Sequence, residues 1–179
     1  MNEFLNRTYN FFKRKYICYG QIITTIITRF KVKIQGVTLG KNCLFYGNMT
    51  FNVDNGGTIK IGKNCIFRSS ATSNRIGLNH RCIISATPLQ DSTCKIEIGE
   101  NCGFSGTSIW CFKSIKIGNN VRCGANTLIM DGDAHFEDSR TAPPRSIVIE
   151  NNVFIGANTV VKKGVTIGEN SVIGMNSVV

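Results

Sequence analysis

The stretch IENNVFIGANTVVKKGVTIGENSVIGMNSVV, residues 149–179, repeats on a period of six. Aliphatic residues fall at Ile149, Ile155, Val161, Ile167, Ile173 and Val179 without a break. A second ladder runs through Val153, Thr159, Val165, Ser171 and Ser177. Gly156, Gly168 and Gly174 each follow a member of the first ladder, and Asn152, Asn158, Asn170 and Asn176 each precede a member of the second. Six is not a helical period, since a helix stripe recurs roughly every 3.5 to 3.7 residues. It is even, so in extended chain every ladder residue points to the same face. A short strand followed by a turn, repeated, meets this pattern. Gly and Asn supply the turn because both tolerate left-handed backbone. One such unit cannot bury its aliphatic residue alone, but stacked units can, which is the logic of a solenoid.

Working outward, the unit recurs upstream. Leu39-Gly40-Lys41-Asn42-Cys43, Ile61-Gly62-Lys63-Asn64-Cys65, Ile98-Gly99-Glu100-Asn101-Cys102 and Ile117-Gly118-Asn119-Asn120-Val121 share one pattern, and Cys123 and Ile129 continue the last ladder. Cysteine takes the small-residue position three times, which marks it as a packing residue. None of the eight cysteines forms a C-x-x-C pair, so a thiolate zinc site is not expected. No secretion signal or spanning apolar run accompanies them, and they read as reduced cytoplasmic thiols.

Three segments break the period: residues 1–35, roughly Ser69–Lys95, and the insertion Asp131–Ser146. In the first, Leu5, Tyr9, Phe12, Tyr16, Tyr19, Ile23, Ile26 and Phe30 are spaced alternately by four and three, a helical face. Ile22 to Thr28 is β-branched and also compatible with strand. Residues 1–33 hold seven Lys or Arg against Glu3 alone, so the net charge of +10 is concentrated there. No nucleic-acid motif accompanies that charge, and nucleic acid is not the expected partner. The segment either caps the solenoid or lies on an anionic bilayer, and the two do not exclude each other. The expected organisation is therefore an amphipathic basic segment over 1–35 and a solenoid domain over 36–179 with a loop at 131–146.

Ile155-Gly156-Ala157-Asn158-Thr159-Val160 and Ile167-Gly168-Glu169-Asn170-Ser171-Val172 resemble the hexapeptide-repeat acyltransferases. The resemblance covers roughly residues 36–179. It is nearest to the maltose and galactoside O-acetyltransferases and to the polysaccharide O-acetyltransferases of bacterial envelope gene clusters. It implies an all-β fold, a left-handed parallel β-helix of triangular section behind a helical or mixed N-terminal segment. It also implies a homotrimer with active sites between subunits and acetyl-coenzyme A as donor.

Acetyl transfer from a thioester to a hydroxyl needs a base that is neutral near pH 7 and a stabilised oxyanion. The chain has two histidines, His80 and His135. His135 lies in the insertion, within Asp131-Gly132-Asp133-Ala134-His135-Phe136, where the resemblance places the catalytic histidine. Asp131 and Asp133 are expected to orient the imidazole or bind the acceptor. The resemblance puts Ser105 where relatives carry an acceptor-binding asparagine, a departure that shortens the reach. Trp110 reads two ways, as a platform for a sugar or, six residues past Phe104, as core. The donor is expected along the C-terminal coils at Gly156, Ala157, Gly174 and Met175, with Lys162 and Lys163 toward its phosphates. Relatives continue past the position of Val179 with a Thr-Lys pair, so the sequence is expected to be truncated or its donor site incomplete. No metal is expected, because a zinc enzyme on this solenoid needs about three histidines. The function expected is sugar O-acetylation in surface-polysaccharide synthesis, in the cytoplasm or at the inner face of the membrane. The alternatives are N-acetylation of an amino sugar or small amine and a non-catalytic scaffold.

Overall fold

A computed structural model describes residues 2–179. One helix, Asn2–Ile34, is followed by strands of two to five residues that stack into three parallel sheets. The first sheet stacks Thr38–Leu39, Gly57–Ile61, Cys94–Ile98, Ser114–Ile117, Ile147–Ile149 and Thr166–Ile167 in chain order. The second stacks Leu44–Tyr46, Ile66–Arg68, Gly103–Ser105, Arg122–Ala125, Phe154–Ile155 and Val172–Ile173. The third stacks Thr50–Val53, Ile83–Ala86, Ser108–Cys111, Leu128–Met130 and Val160–Val161. The chain visits the three sheets in turn, so each circuit is one coil of a triangular, left-handed parallel β-helix.

The ladders seen in the sequence become columns inside the prism. Ile61, Ile98, Ile117, Ile149 and Ile167 are stacked and buried on the first sheet, as are Phe51, Ile84, Ile109, Ile129 and Val161 on the third. Phe45, Phe67 and Phe104 stack ring on ring at 5.2 Å centroid spacing on the second. Corners are turned in the left-handed region by Asn42, Asn64, Asn101, Asn120, Asn152 and Asn170, at φ near +60°. Their side-chain amides bond up the column, from Asn64 to Asn101 at 3.0 Å and from Asn120 to Asn152 at 3.0 Å. Beside each early corner a buried thiol faces a carbonyl of the next coil: Cys43 to Gly62 at 3.2 Å, Cys65 to Gly99 at 3.3 Å, Cys102 to Gly118 at 3.1 Å. Seven cysteines are buried packing residues, and only Cys18 is exposed.

The irregular region Ser69–Lys95 departs from the expectation of a fully lost repeat. Ile83–Ala86 is a regular strand of the third sheet, paired with Thr50–Val53 on one side and Ser108–Cys111 on the other. The excursions are two separate loops, before and after it. Periodicity hides this strand because both of its flanking turns are enlarged.

The N-terminal segment is one helix throughout, so the strand alternative for Ile22–Thr28 does not hold. Helical spacing carries Thr24, Thr25 and Thr28 to one side, and Thr28 and Val32 are buried against the first coil. The Thr25 hydroxyl accepts from the Phe45 amide at 3.1 Å, the Thr24 hydroxyl donates to the Phe45 carbonyl, and the Gln35 amide donates to the Phe51 carbonyl at 2.9 Å. The helix thus caps the solenoid with its hydroxyl face. Among the described residues no helix is long and apolar enough to cross a membrane.

Candidate functional site

The loop Asp131–Ser146 leaves the third sheet after Met130 and rejoins the first at Ile147. Its root is fixed by Asp131, which is fully buried. One carboxylate oxygen accepts from the Phe112 amide at 2.7 Å. The other accepts from Lys113 at 2.9 Å and Ser114 at 2.7 Å, with the Cys111 thiol at 3.5 Å. The carboxylate therefore binds the turn of the preceding coil, and its burial is offset by charge-assisted bonds. Asp131 closes the fold and does not touch the imidazole, which corrects its expected role.

Asp133 is likewise not on the imidazole. It pairs with the Lys163 ammonium, which also donates to the Ala142 carbonyl at 2.8 Å. That bond holds the Asp133 carboxyl below its ordinary value. It also ties the loop to the next coil, so Lys163, expected at the donor phosphates, is already engaged. Lys162 is exposed.

Between these two anchors the chain does something unusual. Ala134 sits at φ +64°. Of the non-glycine residues with positive φ, nine are Asn, and Asp91 and Ala134 are the others. Alanine has no side-chain hydrogen bond to offset that conformation, which costs about 1 kcal/mol. The next residue is His135, whose ring is 76% exposed and whose Nδ1 lies 3.6 Å from a Glu137 carboxylate oxygen. That carboxylate is the one beside the ring, at ion-pair rather than hydrogen-bond distance. The His135 carbonyl accepts from Asp138 and Thr141, closing a tight turn beneath the ring.

Trp110 points outward from the third sheet, so its core reading does not hold; Ile109 and Cys111 beside it fill the interior. Its ring lies 4.8 Å from Phe112, which meets Phe136 edge-on at 4.8 Å. An aromatic cluster thus connects an outward indole to the residue following His135. The indole nitrogen donates to Thr87 at 3.3 Å. Ser105 lies on a different sheet, in a hollow of about 300 Å³ walled by Arg68, Arg122 and Phe154. A single chain does not bring Ser105 to His135. His80 is exposed, with Nδ1 2.9 Å from the Arg81 carbonyl.

The family described as bacterial transferase hexapeptide (six repeats) matches residues 146–179. That match spans the last 34 residues of the chain, the coils of the cleanest repeat. A solved structure of an AntD mutant, an N-acyltransferase from Bacillus cereus in complex with dTDP-4-amino-4,6-dideoxyglucose and coenzyme A, is similar in fold. Its TM-score is 0.58 at 16% identity, over 84% of this chain and 76% of that one. No curated protein sequence matches.

In this hexapeptide-repeat chain the positions expected to meet the donor divide in two. Gly156 is packed beneath the last coil: a Cβ there would lie 2.5 Å from the Met175 amide nitrogen and 2.7 Å from the Gly174 carbonyl carbon. Its missing side chain serves coil stacking, and Ala157 beside it is buried. Met175 is exposed, and a Cβ on Gly174 would meet nothing nearer than the Ser177 hydroxyl at 3.7 Å. Among the described residues no cluster of metal-ligating side chains is present. Sequence reasoning missed Phe112 and Phe136, the clamp made by Asp131, and the Lys163 tie. The one local signal for any of these was an alanine in a Gly-Asp-Ala-His turn.

Proposed function

We propose that this protein is an acyltransferase that moves an acetyl group from acetyl-coenzyme A to a sugar hydroxyl, with His135 as general base. The observation that carries the reading is the strained turn at Ala134, clamped on both sides and presenting an exposed imidazole one residue before Phe136, which ends the aromatic cluster that starts at the outward Trp110. Strain of this kind persists where surrounding structure enforces it, and a scaffold has no need of it. With Nδ1 turned to Glu137, Nε2 is free to accept the hydroxyl proton as the sugar oxygen attacks the thioester carbonyl. Collapse of the tetrahedral adduct expels the coenzyme thiolate, which takes that proton back from the imidazolium. Trp110 offers an apolar face to the sugar.

On one chain the ring lies open. We propose a homotrimer in which a neighbouring subunit covers it, bringing Ser105 of one chain toward His135 of the next and completing the donor groove near Gly174 and Met175. We place the reaction in surface-polysaccharide synthesis on the cytoplasmic side.

A second reading, N-acylation of an amino sugar, is favoured by the fold shared with an N-acyltransferase bound to such a sugar nucleotide. Coenzyme A release from acetyl-coenzyme A, measured with hydroxyl and amino sugars in parallel, separates the two. His135→Ala is expected to lower turnover at least ~100-fold with the same assembly by light scattering. Unchanged turnover removes His135 from the mechanism.

A further inference from the structure

We propose that the N-terminal helix lies flat on an anionic bilayer and holds the solenoid at the membrane surface while its opposite face caps the first coil. At about 100° per residue, Ile17, Gln21, Thr24, Thr28 and Val32 fall on one side of the helix. All five are buried or half-buried, and Thr25 and Arg29 beside them are half-buried too. On the other side Tyr9, Phe12, Tyr16, Ile23, Ile26 and Phe30 form a stripe, and each is more than half exposed. The solenoid does not cover this stripe, because the cap is made by the hydroxyl face. Residues 4–16 lie almost wholly in the open, so the stripe continues well past the coil it caps; the whole helix is about 50 Å long.

Charge identifies the occupant. Lys13 and Lys31, five turns apart, border the stripe on one side, and Lys15 and Lys33, also five turns apart, border it on the other. Lysines so placed lay their stems along the apolar face and lift their ammonium groups to headgroup height. Lys15 already lies over the Phe11 ring at 4.6 Å. The stripe mixes tyrosine, phenylalanine and isoleucine, a composition suited to a water–lipid boundary. The four-three spacing would also suit pairing with a second copy. That pairing would set lysine against lysine along both borders. Glu3, the helix's one acid, is already bonded to Arg7 at 2.8 Å, which leaves no partner charge. An anionic surface meets the apolar and the cationic demand together.

The test is flotation of the full chain with vesicles of phosphatidylcholine alone or with about a third phosphatidylglycerol. Retention is expected on the anionic vesicles, at least ~10-fold weaker on the neutral ones, and falling with added salt. Reversing the four border lysines to glutamate is expected to weaken anionic binding ~100-fold or more. The triple variant Phe12→Ser, Ile23→Ser, Phe30→Ser is expected to abolish retention on both vesicle types. It alters only exposed side chains, and unchanged circular dichroism and unchanged acetyl transfer to a soluble acceptor verify the fold. Absence of retention on anionic vesicles overturns the proposal. So does a triple variant that still floats but loses mass by light scattering, which assigns the stripe to a second copy.

Discussion

Asp131 shows how one residue can look catalytic in sequence and be structural in space. Its carboxylate accepts from three consecutive amides of the preceding coil. Asp131→Asn presents an NH₂ donor to amide donors, and a loss of about 3 kcal/mol in denaturant unfolding is expected. Ala134→Gly tests the strained turn in the opposite sense. Relief of the left-handed alanine is expected to raise stability by up to ~1 kcal/mol, while the loosened turn lowers turnover. Asp133 adds a pH dependence. Its folded pKa is depressed by Lys163, so the tie is fully present above the ordinary carboxylate range and is lost as pH falls below about 4. Protease nicking within 131–146 should rise in that acid window and should be equally fast at neutral pH in Asp133→Asn. None of these partnerships was legible in sequence, because Lys163 and the Phe112–Ser114 turn are brought to the loop only by coiling. The insertion that carries His135 was legible, because it interrupts a strict six-residue repeat.

At the scale of the coil, the six-residue period was almost sufficient. Asn and Gly positions fixed the corners, and the Ile149–Val179 ladder fixed the interior. It failed where turns lengthen, around Ile83–Ala86, and where a corner is one residue short, so that Ile109 rather than Trp110 takes the interior place. Corner substitutions should show the cost of close stacking. A Cβ on Gly62 would lie 2.6 Å from the Gly99 carbonyl oxygen, a backbone contact that cannot yield. Gly62→Ala is expected to destabilise by about 2 kcal/mol or more in thermal unfolding. The thiols give a further check. Burial pushes Cys94 up to about 11, and contact with the Cys102 thiol is the main cause that takes Cys65 to about 11. In native protein Ellman's reagent should therefore modify one thiol per chain, Cys18, and all eight after denaturation.

For the molecule as a whole, helical spacing correctly announced the N-terminal helix and misdirected attention to its apolar face, when the threonine face makes the contact. Apolar burial was the wrong criterion, because a β-helix ends in amides and carbonyls that need hydrogen bonds more than hydrocarbon cover. This has a bearing on polymerisation. Each circuit is a template for the next, and an unblunted first circuit would accept the last circuit of another molecule as readily as its own successor. Thr24, Thr25 and Gln35 occupy those bonding positions with side chains, much as a chain-terminating monomer stops a growing polymer. Removing residues 1–35 should convert a discrete particle into end-to-end fibres, seen by electron microscopy as filaments as wide as the prism.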